Sequence, residues 1–409
     1  MSRIFQTLGA DPTKLGWFFI LPPLAGLVVQ PAIGSFSDRT WAPKLGGRRL
    51  PYLLIGMIFA VIMMLFLPNI GSLGLGYGSI EALVFGAIAI AILDVAANMA
   101  MQPFKMMIGD MVNDEQKSYA YGIQSMLSNS GAVIAAFFPF LLTVLGVANT
   151  AKKGVVPQSV VISFYVGATI LVITSLLTVT KVHEYDPKTY ARYHGIKEED
   201  NKECGNWFEL LKKAPKVFWQ VSLVQLFCWF SFQYLSTYAT GAIAENVWKV
   251  TDPSSAGYQL AGNWFGVLTA VQSIAAVIWS YVLAKVPNDH HKFGYGISLL
   301  LGAIGYGSIF FVHSQNILIV SFILIGISWA AMNTYPLTMV SNALSGKHMG
   351  TYLGLFNCSI CLPQIIASLL SFILFPLMKY SMPAMMLTAG ISGILAAVCV
   401  LFIKETYKN

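Results

Sequence analysis

Of the 18 acidic residues in the chain, 16 fall in polar connecting segments or at their edges and Glu81 sits at the rim of an apolar run. Only Asp94 lies deep inside one, in IAIAILDVAANMAMQPFK. Drawn as a helix at 1.5 Å per residue, it is about 21 Å from the outer end of its run and about 16 Å from Lys105. An aspartate near the middle of a bilayer costs about 2.5–3.5 kcal/mol, and taking up a proton relieves that cost. The chemistry that suits Asp94 is therefore proton carriage. The competing reading is a structural acid bonded to Asn98 one turn on.

Asp94, Asn98, Gln102 and Lys105 fall at about 0°, 40°, 80° and 20° around that helix, a single polar stripe. Polar groups on a membrane helix face the bundle interior or a wet cavity rather than lipid. Comparable faces recur: Gln225, Trp229, Phe232 and Ser236; Asn357, Cys361, Gln364 and Ser368; Trp329, Asn333 and Pro336; with Gln124 and Ser128 added. Neutral amides beside aromatic rings suit a sugar, whose hydroxyls take paired donors and acceptors and whose C–H faces stack on indole or phenyl. Interhelical hydrogen bonding is the alternative use of each amide. The four faces together are read as a sugar-sized cavity.

The run Gly34-Ser-Phe-Ser-Asp38-Arg39-Thr-Trp-Ala-Pro-Lys44-Leu-Gly-Gly47-Arg48-Arg49 has a third kind of chemistry. Glycine lets two helices approach closely. Asp38 and the bases after it can pair with neighbouring segments such as Lys105 and Asp110, closing one end of a pathway. Gly34, Asp38, Arg39, Arg48, Arg49, Lys105 and Asp110 are thus expected to form a gate.

The elements that position these groups follow from composition. Hydrophobic residues make up 56% of the 409 and charged residues 11%, with a mean hydropathy of +0.66. A soluble domain carries about 25% charge, so a soluble enzyme, a disordered chain and a nucleic-acid binder are all excluded. A bilayer core needs about 20 apolar residues per helix. Eleven runs qualify: 16–36, 50–67, 80–104, 120–145, 158–180, 217–243, 259–284, 293–312, 316–342, 349–376 and 382–403. They are long and continuous rather than alternating, which excludes a β-barrel. The fold class expected is an all-α polytopic membrane protein. It divides into an N-terminal bundle (1–180), a polar central loop (181–216) and a C-terminal bundle (217–409). Segments 37–49, 105–119, 181–216, 285–292 and 343–348 and the C-terminus hold 19 of the 25 lysines and arginines. That bias puts them, and the C-terminus, in the cytoplasm. Eleven helices are one short of a 6+6 plan, and a missing first helix is the expectation. The stretches Asn98–Gln124 and Asn333–Asn357 share a layout of polar residue, proline, basic loop and Tyr-bearing helix start, an echo of the kind found in transporters with repeated halves.

Other signals carry less. The five cysteines are an odd set, and Cys358-x-x-Cys361 sits in a membrane run without ligand partners, so packing is its role. Gly71, Gly74, Gly76 and Gly78 have no following phosphate-loop lysine, and Ser345-Gly346-Lys347-His348 lacks the rest of a nucleotide pattern. His290 and His291 are expected to be solvated in a turn.

Taken together, these residues resemble the major facilitator superfamily, and within it the sucrose/maltose–proton symporter group, among the glycoside-pentoside-hexuronide-like sugar transporters. Gly34-x3-Asp38-Arg39, Thr40-Trp41-Ala42-Pro43-Lys44 and Gly47-Arg48-Arg49 are similar to that group's version of the superfamily loop. Leu93-Asp94-Val95, Asn98, Gln102-Pro103, Lys105 and Gly109-Asp110 resemble its fourth-helix pattern. Met349 to Asn357 and Pro363-Gln364-Ile365 resemble its eleventh. The family usually has arginine where Lys105 stands, a departure that removes bidentate pairing there. The resemblance implies two six-helix bundles, Asp94 at the proton-carrying position, and symport of a disaccharide such as sucrose or maltose by alternating access. It also implies no cofactor beyond the proton gradient, a sugar, a proton and the lipid bilayer as partners, no nucleic acid, a monomer, and a place in a bacterial inner (plasma) membrane. A sodium-coupled glycoside symporter and a non-transporting sugar sensor are the alternatives. An enzyme is not expected, because no second acid, metal cluster or nucleophile–base pair accompanies Asp94.

Overall fold

A computed structural model of the chain describes residues 21–45, 47–72, 80–148, 156, 158–193, 207–251, 255–344 and 348–404. Among the described residues the protein is α-helical: α1 (Leu21–Arg39), α2 (Leu50–Phe66), α3 (Ile80–Met111), α4 (Asp114–Val144), α5 (Gln158–Lys181), α6 (Pro187–Tyr193), α7 (Trp207–Lys213), α8 (Lys216–Ile243), α9 (Ala256–Ala284), α10 (His291–Phe311), α11 (Leu318–Ala343), α12 (Met349–Phe356), α13 (Cys358–Leu377) and α14 (Met382–Val400). Eight segments among the described residues are long and apolar enough to cross a membrane. The other three expected runs are helical as well, in α1, α4 and α8; residues 16–20 of the first run lie outside the described residues.

Local sequence sets the ends. Pro51 stands in the first turn of α2, where a missing N–H costs nothing. Ser255 and Ser381 cap α9 and α14 by accepting from the backbone N–H three residues on. Asp114 and Glu115 occupy the first turn of α4, and Arg39 and Lys181 the last turns of α1 and α5, each matching the helix dipole. Two boundaries differ from expectation. The segment 105–119 is not a loop: α3 continues through Lys105 to Met111 and α4 begins at Asp114. Polarity alone does not end a helix, and the chain turns only at Val112 and Asn113. The run 349–376 is not one helix either, since it breaks at Asn357 between α12 and α13.

The chain divides into two compact units, Met1–Met111 with Ile134–Leu210 and Ser345–Cys358, and Val112–Val133 with Leu211–Leu344 and Ser359–Asn409. In the first unit α2 lies directly on α3: a Cβ on Gly56 would meet the backbone nitrogen of Ala100 at 2.6 Å and the oxygen of Ala96 at 2.8 Å. Ala60, Leu67, Ala89, Ile90, Leu93 and Ala96 form the buried core there. In the second unit Tyr234, Leu235, Phe322, Ile325, Met385 and Ala389 belong to one buried core. Large apolar side chains also stay exposed, among them Phe59, Ile88, Ile173, Ile278, Phe311 and Phe372. On a membrane protein such a surface faces lipid, which is as apolar as the side chains.

Candidate functional site

Asp94 stands on α3 in the first unit, half-buried. Its Oδ2 is buried and has no hydrogen-bond partner among the described residues. Asn98 Nδ2 donates to the Asp94 backbone oxygen at 2.8 Å. The amide of Asn98 is thus bonded to the Asp94 backbone and not to Oδ2 of its carboxyl. Asn98 Oδ1 accepts from Gln30 Nε2 on α1. Gln102 is buried and Lys105 half-buried further along α3.

The loop expected to be a gate closes a network of buried charges in the same unit. Arg49 is fully buried; its Nη2 lies 2.7 Å from Asp38 Oδ1, its Nε 3.0 Å from Asp110 Oδ2, and its Nη1 donates to Ser37 Oγ at 2.5 Å. Arg48 pairs with Asp110 at 3.2 Å and lies over the Tyr190 ring, 3.7 Å from its centroid, while Tyr190 OH donates to Asp110 Oδ1 at 3.0 Å. Burial alone would pull the Arg49 guanidinium down, but Asp110 and then Asp38 more than reverse that and hold it protonated. Burial also raises the Tyr190 hydroxyl, which keeps it a donor. Glu184 Oε1 accepts from the backbone nitrogens of Arg49 (2.8 Å) and Leu50 (3.1 Å), capping α2. Its burial nevertheless raises its pKa above the ordinary glutamate value.

Asp38 does more than pair with Arg49. It accepts from Gly350 N (3.1 Å), Thr351 N (2.8 Å) and Thr351 Oγ1 (2.7 Å), and so caps the N-terminus of α12. Glycines make that approach possible. Gly34 is pressed against the carbonyl of Gly350, and a Cβ on Gly354 would meet Gln30 O at 2.6 Å and Pro31 Cα at 2.7 Å. At the end of this seam Asn357 Nδ2 donates to Gly26 O at 3.3 Å, and Cys358 Sγ approaches Leu27 O at 3.9 Å. Arg39, expected in the gate, stands apart: it is exposed and reaches back to Ser35 Oγ on its own helix.

The second unit holds the aromatic groups. The rings of Phe232 and Trp329 are 4.4 Å apart, and each lies 5.6 Å from Trp229. Trp329 Nε1 donates to Asn129 Oδ1 at 3.0 Å, while Trp229 Nε1 is buried with no partner among the described residues. Gln225 Nε2 donates to Met332 O at 3.0 Å, so its donor end joins two helices, and its Oε1 has no partner among the described residues. Asn333 Nδ2 bonds the Trp329 backbone oxygen of its own helix at 2.8 Å. Gln124 on α4 and Gln364 on α13 are half-buried. Asn357 belongs to the first unit and joins helices there, so the Asn357–Gln364 face expected from helical spacing is divided at the break.

Sequence reasoning missed Gln30, Glu184, Tyr190 and Asn129. Gln30 carried a usable signal, a lone amide within an apolar run. Glu184 and Tyr190 carried none, since acids and tyrosines are ordinary in a polar loop. His291, expected in solvent, is fully buried beside Tyr335 with ring centroids 5.0 Å apart. Cys358 and Cys361 are packed as expected, half-buried and buried.

The chain is 25% identical over 402 residues to the sucrose transport protein SUC4 of Arabidopsis thaliana, covering 90% of this chain and 78% of that one. It is 24% identical over 423 residues to the sucrose transport protein SUT2 of Oryza sativa subsp. japonica, covering 90% and 81%. These relatives are plant proteins and lend the bacterial expectation no support. Among solved structures, the proton:xylose symporter XylE superposes with a TM-score of 0.70 at 13% identity, over 99% of this chain and 90% of that one. The fucose:proton symporter FucP of E. coli superposes with a TM-score of 0.63 at 11% identity, over 95% and 98%. Matching the description "Major Facilitator Superfamily" over residues 1–368 and again over 251–409, this multi-pass membrane protein belongs to that family.

Proposed function

We propose that the protein is a proton-coupled sugar symporter, with a disaccharide such as sucrose as its substrate, working by alternating access. The observation that carries the reading is Asp94: a half-buried acid in the middle of a membrane span whose Oδ2 has no partner among the described residues. Such a group is costly as an anion and is relieved by one proton. The sugar role falls to the second unit. Three rings within 5.6 Å of their neighbours offer apolar faces to a pyranose, and the buried Trp229 N–H and Gln225 carbonyl offer an unanswered donor and acceptor. The names of the relatives, sucrose transport proteins, support a disaccharide.

The gate is the α1–α12 seam, tied by Asp38 to Arg49 and to the α12 N-terminus. The lysine and arginine bias supports a cytoplasmic side for that end and for the C-terminus. The cycle then runs in order: Asp94 takes a proton from outside, sugar binds, the seam parts, and both leave inward. One proton crossing about 100 mV supplies about 2.3 kcal/mol, enough for about fiftyfold accumulation. The test uses the reconstituted protein in proteoliposomes. Asp94→Asn is expected to abolish gradient-driven uptake of labelled sucrose while leaving sucrose exchange, and a sodium gradient is expected to drive nothing in the parent. Full uphill transport by Asp94→Asn would refute the proton assignment.

A further inference from the structure

The Asp94 site and the α1–α12 seam meet at Gln30, which neither role yet explains. Gln30 is 2% exposed. Its Nε2 donates to Asn98 Oδ1, and Asn98 in turn donates to the carbonyl of Asp94 at 2.8 Å. Its own backbone oxygen presses on Gly354, which has no room for a Cβ. One residue is thus fixed on its side-chain end to the turn of α3 that carries Asp94, and on its backbone to α12.

The polar accounting at this point is incomplete in a telling way. Gln30 Oε1 and Asp94 Oδ2 are both buried, both acceptors, and both without a partner among the described residues. Buried acceptors left unsatisfied are costly. A proton on Asp94 turns one of the two into a donor. The titratable groups on the helices around Asp94 do not supply one: on α1 Asp38 is held by Arg49 and Arg39 by Ser35, and Asp110 on α3 by Arg48 and Arg49. Tyr52 of α2 is paired with Thr40, Tyr165 of α5 with Asn69, and Tyr352 of α12 with Leu210 O. Lys105 is eleven residues along α3, Lys181 ends α5, and the turn Leu67–Ser72 carries no titratable side chain.

Building on the proton role of Asp94, we propose that Gln30 is the positioning residue that transmits the protonation state of Asp94 to the α1–α12 seam. Protonated Asp94 donates to Gln30 Oε1, Gln30 keeps its bond to Asn98, and α1 is held against Gly354. Ionised Asp94 restores two unsatisfied acceptors, and the seam loosens. The sign serves coupling, because a proton taken up without sugar keeps the gate shut and does not leak through.

Cys358 is a native reporter, half-buried with its sulfur against Leu27 O at the end of the seam. With Cys204, Cys228, Cys361 and Cys399 replaced by alanine, N-ethylmaleimide labelling of Cys358 is followed in proteoliposomes from pH 5.5 to 8.5. Each rate is divided by the rate in SDS at the same pH, which removes the intrinsic thiolate effect. The parent is expected to become about fivefold more reactive as pH rises, the equivalent of one neutral hydrogen bond. Gln30→Met, close in size, is expected to flatten that response while sucrose exchange persists. Asn98→Leu, which cuts the same link from the other side, should flatten it too. A flat parent, or a Gln30→Met response as steep as the parent's, overturns the inference. In either case an Asp94→Asn variant that has lost gradient-driven uptake leaves the symport reading standing; Asp94→Asn that stays steep and still accumulates sucrose sinks that reading instead.

Discussion

Replacing Asp38 by asparagine tests how the seam is held. Asp38 is nearly enclosed, its side chain 9% exposed, and it accepts from four donors between 2.7 and 3.1 Å. Asparagine has one acceptor oxygen. If that oxygen stays with Arg49 and Gly350, the amide NH2 faces Thr351 N, and the backbone donor is orphaned. The Thr351 hydroxyl can turn and accept instead. The bonds to Gly350 and to the Thr351 hydroxyl are no longer charge-assisted, which reduces each from about 1.5–3 kcal/mol to about 0.5–1.5 kcal/mol, while Arg49 still supplies a charged donor. The attraction of the carboxylate to the α12 N-terminus, about 0.3–1 kcal/mol, goes as well. Arg49 keeps Asp110 at 3.0 Å, so its charge is not stranded. The total comes to about 3 kcal/mol, or about 150-fold in the equilibrium for parting the seam. The assay is equilibrium unfolding in mixed micelles with rising SDS, run as a double-mutant cycle with Thr351→Val. Asp38→Asn is expected to cost about 3 kcal/mol and Thr351→Val about 2 kcal/mol, with a coupling of about 1 kcal/mol because the hydroxyl bond survives in Asp38→Asn as a neutral one. A cost for Asp38→Asn within about 0.5 kcal/mol of zero, or strict additivity, refutes the account.

Gly354→Ala drives a methyl group into the backbone of Gln30 and Pro31, neither of which is a flexible side chain, and is expected to cost about 1–3 kcal/mol in the same unfolding assay; Gly131→Ala on α4, with nothing within 4 Å, is the control and is expected to gain about 0.5–1 kcal/mol. Glu184→Gln keeps the acceptor for Arg49 N and Leu50 N and removes a buried charge, so it is expected to hold or gain stability at neutral pH, whereas Glu184→Ala loses the cap and costs about 1–2 kcal/mol. Because burial raises the folded-state pKa of Glu184 from 4.5, its stabilising contribution is full below pH 4.5 and fades as pH rises through the raised value. The advantage of Glu184→Gln over the parent, measured as a stability difference, therefore grows with pH, and an advantage that shrinks would contradict the placement of Glu184.

What could be read from the sequence follows what a single helix determines. Among the described residues ten of the eleven apolar runs lie mainly on one helix and the run 349–376 on two, because length and hydropathy favour helix without help from neighbours. Asp94 was legible for the same reason, since its cost is set by depth alone. Boundaries failed where polar residues were taken for loop. Lys105 and Asp110 both lie on α3, Asp110 held there by Arg48 and Arg49, and polarity by itself does not end a helix. Partners failed more widely. Arg48 and Arg49 pair with Asp110, and Arg49 with Asp38 as well, whereas Arg39, adjacent to Asp38 in sequence, reaches back to Ser35, because neighbours in a helix sit about 100° apart.

The pairing of α1 with α12 shows why the remainder was out of reach. Pro31 lies inside α1 and has no N–H, so the carbonyl of Leu27 four residues back loses its helical donor. On its own that is a defect in a segment without water to repair it. The repair comes from a segment more than 300 residues away: Cys358 Sγ approaches Leu27 O, and Asn357 donates to Gly26 O one residue earlier. Asn357 stands where the run 349–376 breaks, so one interruption of a helix answers another. Gly34, Gly350 and Gly354 allow the backbones to come close enough for the exchange, and Asp38 fastens its far end. Read singly, Pro31 is a kink, Asn357 a stray amide and Gly354 a small residue among many. Their meaning lies in the juxtaposition. Side-chain bonds to backbone groups thus add to the buried apolar face of α12 in tying two segments that are distant in sequence.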